Sequence, residues 1–191
     1  METLRRVVLV VALLNLAYFG VEFAVALAIG SVSLFADSVD FLEDGLINIL
    51  IFATLPWPAH RRRVVGSILA FVILIPALAT IWTAVVKILD PYPPAPIPLT
   101  LTATGALVVN LACAALLVRH RHHAGSLTKA AWLSARNDAI ANLAIIAVGI
   151  LTVWFATGWL DIVVGVAIGI LNADAARVVW LAAHREVDPT P

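Results

Sequence analysis

The chain alternates between long apolar runs and short polar breaks, and this pattern sets the number of its elements. A helix that crosses the hydrocarbon core of a bilayer, about 30 Å thick, needs about 20 mainly apolar residues. Breaks rich in Pro, Gly or charge, such as LDPYPPAPIP and VRHRHHAGS, end such helices. The pattern predicts six membrane-spanning helices, at residues 5–28, 33–55, 65–88, 98–118, 130–156 and 159–182.

The composition agrees with this interpretation. Of the 191 residues, 62% are hydrophobic and 13% are charged, and the mean hydropathy is +1.02. A soluble domain is about half apolar and about a quarter charged. We therefore expect an all-α polytopic membrane protein, with residues 1–182 forming a six-helix transmembrane domain, residues 183–191 a short tail on the cytoplasmic side, and no soluble domain. The formal net charge is zero, which gives no indication of nucleic acid as a partner.

Basic residues predict the orientation, because short cytoplasmic loops are enriched in Lys and Arg. The opposite side of the predicted bundle has one basic residue, Lys87. Both termini are therefore expected in the cytoplasm. The basic residues on the terminal side are Arg5, Arg6, Arg61, Arg62, Arg63, Arg119, Arg121, Lys129, Arg177 and Arg185.

The second predicted helix carries an unusual set of carboxylates. Asp37, Asp40 and Asp44 are spaced by three and four residues, so they share one helical face, and Asn48 extends that face by a turn. Glu43 lies at its edge. A charge in the middle of a membrane costs several kcal/mol, so a cation or protons must neutralise this stripe. The alternative is a solvated loop or helix end, with Asp37 near the outer surface.

The fifth predicted helix has a second polar stripe. Ser134, Asp138 and Asn142 recur every four residues and share a face. This helix runs antiparallel to the second one, and Asp138 is expected at a depth similar to that of Asp40 and Asp44. Carboxylate, hydroxyl and amide oxygens in this number suit a divalent cation. For Ser134 and Asn142, hydrogen bonding between helices is an equally good explanation.

Several motifs resemble those of the cation diffusion facilitators, a family of proton-coupled exporters of zinc and related metals. GSVSLFADSVDFLEDGL is similar to the second helix of that family, and GWLDIVVGVAIG to the start of its sixth. The resemblance implies that Asp40 and Asp44 are metal ligands, together with Asp138 from the fifth helix. It also implies a homodimer. The chain departs from the family in having Ser134 where a His is usual, and in lacking the family's cytosolic C-terminal domain.

The candidate site residues fall into three groups. The predicted metal ligands are Asp40, Asp44 and Asp138. Direct ligation or a supporting role is predicted for Ser134, Asn142, Asp37, Asn48 and Glu22. Collection of metal at the cytoplasmic mouth is predicted for His120, His122 and His123, since neutral imidazole is a good ligand; a solvated basic loop explains these three equally well.

These observations predict a divalent metal transporter without a permanent cofactor, in which the metal ion is the substrate. Cation binding to buried carboxylates displaces protons, so proton-coupled efflux of zinc, cobalt, iron(II), manganese or cadmium is expected. Loss of the His nitrogen at position 134 relaxes a preference for zinc. The alternative is a degenerate, non-transporting membrane subunit that keeps the fold. An enzyme is not expected, because the helix interiors offer no nucleophile and base pair. The expected location is a bacterial inner membrane.

Overall fold

The chain folds into α-helices, as its sequence predicts. The computed structural model describes residues 2–54, 64, 75–76, 78–119 and 125–185. Within these residues the third predicted helix is described over Leu78–Leu89, here called α3. The other helices are α1 (Glu2–Ile29), α2 (Val32–Thr54), α4 (Pro96–Arg119), α5 (Gly125–Thr152) and α6 (Trp159–Arg185).

Most helix ends lie within a few residues of the prediction, but the prediction for α5 was wrong at both ends, since the helix begins at Gly125 and not at 130. The helix ends at Thr152 and not at 156. Val153 N–H bonds to Ile150 O at 3.2 Å, a tightened last turn, and Gly158 N–H then bonds to Pro91 O at 3.1 Å. The segment VWFAT is apolar and contains no Gly or Pro, so the sequence pattern alone does not mark this end.

A tight turn joins α1 to α2. Gly30 has a φ of 63°, and Ser31 N–H bonds to Ala26 O at 3.0 Å, which is the hydrogen bond of a Schellman cap. A Cβ at Gly30 would also lie 2.1 Å from the Tyr92 hydroxyl. Glycine is therefore required here both by its backbone conformation and by the close approach of Tyr92.

The helices pack as two hairpins that share a core. α1 packs along α2 and α4 along α5, while α6 packs on α2 and α1 on α4. The largest buried cluster includes Leu34 and Val39 of α2, Leu99 of α4, Ile145 of α5 and Ile168 of α6. Lipid is as apolar as Leu, so close fit between helices, and not exclusion from water, holds such a core together.

The central position of α2 explains how a membrane protein accommodates its carboxylates. Large apolar side chains such as Trp82, Ile97 and Leu101 are exposed on other helices, as expected of a lipid-facing surface. Over residues 32–49, α2 exposes no large apolar side chain. By length and hydropathy, two of the described helices qualify as membrane spans, at Arg6–Ile29 and Pro96–Val118. α2 carries four carboxylates, and the bundle around it buries two of them, Asp37 and Glu43.

Candidate metal centre

The carboxylates of α2 divide into a sealed group and an accessible group. The side chains of Asp37 and Glu43 are buried, whereas Asp40 and Asp44 are partly exposed. Asp37 is 0% exposed, so the alternative that placed it in a solvated segment near the surface is wrong. Its burial follows from the position of α2 between α1, α5 and α6. The accessible pair consists of the two α2 residues that were predicted as metal ligands.

Asp40 is the centre of the electrostatic cluster. It lies in interaction range of Asp138 on α5, and of Asp44, Asp37 and Glu43 on its own helix. Asp138 is also partly exposed. The tertiary structure therefore brings together the carboxylates of two stripes that are almost a hundred residues apart in sequence.

The described residues do not form a closed ligand cage. Among them, no three His, Cys, Asp or Glu side chains are grouped tightly enough to hold a metal ion. The backbone of Ser134 belongs to α5, one turn before Asp138, and its side chain lies outside the described set. His120, His122 and His123 also lie outside the described residues. What the structure shows is that Asp40 of α2 and Asp138 of α5 lie within electrostatic range of each other on two helices.

Asn142 links the two stripe helices directly. Its side-chain Nδ2 donates to Asp37 Oδ2, and its Oδ1 accepts a hydrogen bond of 3.1 Å from Asn110 Nδ2 of α4. All three side chains are buried. The amide of Asn142 is thus engaged on both sides. Asn110 was missed by the sequence analysis, although a lone Asn within the apolar run of the fourth helix is a signal for an interhelical hydrogen bond.

Glu22 of α1 faces the sealed side of the cluster. It interacts electrostatically with Asp37 and Asp40, and it is 0% exposed. No N–H or O–H donor in the described part of the chain reaches either carboxyl oxygen of Glu22, Oδ1 of Asp37 or either oxygen of Glu43. The carboxyl groups of Glu22 and Asp37 are within hydrogen-bonding range of each other, but that bond needs a proton on one of them. Buried polar atoms without a partner are rare, so these oxygens call for a proton or a bound cation.

Tyr18 and Asn48 make further contacts around the carboxylates of α2. Tyr18 of α1 donates its hydroxyl to Thr102 O of α4 at 2.6 Å, and its ring packs against Phe41 with centroids 5.1 Å apart. Asn48, which extends the α2 stripe, donates Nδ2 to Asp44 O of its own helix at 2.8 Å. Tyr18 was not identified from the sequence, where a single Tyr in an apolar helix carries no distinctive spacing.

A buried ion pair was also missed. Lys87 of α3 and Asp161 of α6 lie 2.8 Å apart between Nζ and Oδ2, with 4% and 0% of their side chains exposed. The sequence analysis used Lys87 for orientation alone. A cleft of about 290 Å³, lined by residues that include Lys87, Tyr92 and Trp82, opens beside this pair. Asp40, Asp44 and Asp138 do not line it.

Large apolar side chains on the outside of the helices and carboxylates buried between them are typical of a polytopic membrane protein. A scan against protein-family models matches residues 8–180 to the cation efflux transmembrane domain. The chain belongs to this family, the cation diffusion facilitators, whose members are transporters and not enzymes. A comparison with curated proteins gives no match.

Proposed function

We propose that this protein exports divalent metal cations in exchange for protons, and that Asp40, Asp44 and Asp138 bind the cation. The observation that carries the proposal is the approach of Asp138 on α5 to Asp40 on α2. Carboxylates from two helices are then close enough to interact, and oxygen ligands of this kind suit hard and borderline divalent cations.

Accessibility supports the choice of ligands. Asp40, Asp44 and Asp138 are partly exposed, whereas Asp37, Glu43 and Glu22 are sealed by packing. A transported ion must be able to reach its ligands, which favours the three partly exposed carboxylates over the buried ones. The sealed carboxylates and Asn142 then support the site, and Ser134 and Asn48 flank it.

Proton coupling follows from the same geometry. Several carboxylates this close together inside a bilayer cannot all stay charged without a positive partner. When the cation leaves, protons take its place, and the next cation displaces them. A cycle in which cation and protons alternate on Asp40, Asp44 and Asp138 is an antiport.

The position of the ligands on different packing units supports alternating access. α2 packs mainly on α1 and α6, whereas α5 packs mainly on α4. A rocking motion between these units would separate Asp138 from Asp40 on one side of the membrane and bring them together again on return. Movement of this kind opens the site to one side at a time.

The remaining features of the proposal come from the sequence. The excess of basic residues on one side supports cytoplasmic termini, with residues 1–182 as the transport domain and residues 183–191 as a tail. We place the protein in a bacterial inner membrane as a homodimer, with His120, His122 and His123 collecting metal. An oxygen-rich site with Ser134 in place of His accepts zinc, cobalt, iron(II), manganese or cadmium.

The test is cation-driven proton flux in proteoliposomes that contain a pH-sensitive dye. Wild-type protein should move protons when one of these five metals is added. Asp40→Asn, Asp44→Asn and Asp138→Asn should each abolish the flux, because each removes a charged oxygen ligand. Asp90→Asn is the matched control, since Asp90 is an exposed carboxylate outside the cluster and its loss should leave the flux unchanged.

Two outcomes would contradict the proposal. Folded, membrane-inserted wild-type protein that moves no protons with any of the five metals would favour the degenerate, non-transporting subunit. Flux that survives Asp138→Asn and Asp40→Asn would show that the cation binds elsewhere in the bundle.

A further inference from the structure

The carboxylate of Asp161, on α6, caps the N-terminus of α2. Asp161 Oδ1 accepts hydrogen bonds from Ser31 Oγ at 2.7 Å, Ser33 Oγ at 2.6 Å and Ser33 N–H at 3.1 Å. Its Oδ2 accepts from Val32 N–H at 2.8 Å. Ser31 Oγ in turn accepts from Leu34 N–H at 3.1 Å, the geometry of an N-cap. The first free N–H groups of α2 are therefore all bound.

Lys87 links a third helix, α3, to Asp161 and the start of α2. Its Nζ lies 2.8 Å from Asp161 Oδ2, donates to Gly30 O in the turn before α2, and stands 4.9 Å from the centre of the Tyr92 ring. We call Ser31, Ser33, Lys87 and Asp161 the Asp161 network. It joins the start of α2 to α3 and α6 in one buried set of charge-assisted hydrogen bonds, which are about twice as strong as neutral ones.

Close packing between backbones also holds the start of α2 against α6. A Cβ at Gly165 of α6 would lie 2.7 Å from Ser33 N, from Val32 C and from Val32 Cγ1. The two helices are thus in backbone contact directly below Asp161. α2 cannot turn or slide at this end without breaking both the hydrogen bonds and this contact.

The Asp161 network sets the positions of Asp40 and Asp44, because all of α2 moves with its first turn. Asp40 follows Ser33 by seven residues, roughly 10 Å along the axis of an α-helix. Helical hydrogen bonding between them is continuous, so the height and rotation of the first turn are passed on to Asp40 and Asp44. α2 contacts α5 far less than it contacts α1 and α6. On the α6 side, α2 is held at its start by this network and one turn further on by a hydrogen bond from Asn172 Nδ2 to Ala36 O at 3.0 Å.

We propose that Asp161 and Lys87 are positioning residues for cation binding. They hold the first turn of α2 and thereby set the height of Asp40 and Asp44 relative to Asp138. The proposal rests on the proposed function for its effect on transport, whereas its effect on α2 is independent of transport.

The experiment has two readouts on the full-length protein in lipid nanodiscs and proteoliposomes. Hydrogen exchange measured by mass spectrometry reports the protection of the α2 backbone at residues 37–44. Proton flux against cation concentration separates the apparent KM from the maximal rate. The variants are Asp161→Asn and Lys87→Met, with Lys87→Arg as the conservative change and Asp90→Asn as the control for loss of an exposed carboxylate.

We expect Asp161→Asn and Lys87→Met to lose protection at residues 37–44 and to raise the apparent KM about 10- to 100-fold, the range for residues that orient metal ligands. The maximal rate should fall less. Lys87→Arg should restore much of both readouts. If Asp161→Asn does not fold, Ser33→Ala is tested in its place. This variant removes one hydrogen bond to Asp161, so we expect smaller changes in the same direction.

Loss of protection confined to residues 31–35 would make the network a local helix cap and overturn the proposal. An unchanged apparent KM in folded variants would overturn it as well. If wild-type protein transports no cation, the proposed function fails. The exchange readout at residues 37–44 still decides whether the network positions α2.

Discussion

Asn142 of α5 donates its side-chain amide to Oδ2 of Asp37 in α2, across 105 positions of sequence. This is a direct polar link between the two helices that carry the carboxylate stripes. Because Asn142 Oδ1 also accepts from Asn110, the link extends to α4. One buried amide therefore holds three helices at the depth of the cluster.

Replacing Asn142 by Leu should destabilise the protein. The change leaves Asp37 Oδ2 and Asn110 Nδ2 without their partner, and each buried unsatisfied group costs about 1–3 kcal/mol. The expected result is a lower midpoint of thermal unfolding in detergent. Asn48→Leu is the control, because the hydrogen bond that Asn48 makes within the described part of the chain goes to the carbonyl of Asp44 in its own helix. Equal losses for both variants would contradict a special role for the interhelical link.

Replacing Gly165 by Ala should separate α6 from the start of α2. The added Cβ would meet backbone atoms of Val32 and Ser33 at 2.7 Å, and neither backbone can rotate away. We expect a loss of about 1–3 kcal/mol, typical of overpacking, read as a lower unfolding midpoint. Gly20→Ala is the matched control, since a Cβ at Gly20 meets no atom within 4 Å. A tolerated Gly165→Ala would show that the contact between α2 and α6 is looser than described.

Glu22→Gln should raise thermal stability while it alters transport. The Glu22 carboxyl group is buried beside Asp37 and Asp40, and a hydrogen bond between the carboxyl groups of Glu22 and Asp37 needs a proton on one of them. An amide of the same shape removes a like charge and supplies a donor for Asp37, a change of about 1 kcal/mol. The measurement is the unfolding midpoint without added metal. Glu22→Leu is the comparison: it removes the charge at similar volume without adding a donor, so an equal rise would assign the effect to charge alone.

Ser134→His should shift metal preference towards zinc. Position 134 lies one turn before Asp138 on the α5 stripe, and imidazole favours zinc over manganese. The measurement is the ratio of zinc-driven to manganese-driven proton flux, which should rise in the variant. Leu133→His places the same ring about 100° around the helix and should leave the ratio unchanged. An unchanged ratio in Ser134→His would place residue 134 outside the cation site.

Local periodicity made much of this protein predictable. Six apolar segments of spanning length predict six helices, because hydrocarbon requires each backbone group to bond within its own helix. The spacing of Asp37, Asp40 and Asp44 gives one face of α2, since a helix repeats every 3.6 residues. The motifs around them gave the family, which the match over residues 8–180 confirms.

The contacts between helices were not predictable in this way. Asp37 and Asp40 share one face by spacing, yet Asp37 is sealed and Asp40 is accessible, because burial depends on which neighbouring helix covers each turn. Asp161 forms hydrogen bonds with residues 128 to 130 positions away in the chain, and no spacing in the sequence predicts these contacts. The sequence by itself determined which helices exist and which face of each is polar, because both depend on residues a few positions apart. Only the tertiary structure decided which carboxylates face each other and what anchors α2, because those depend on how separate helices pack.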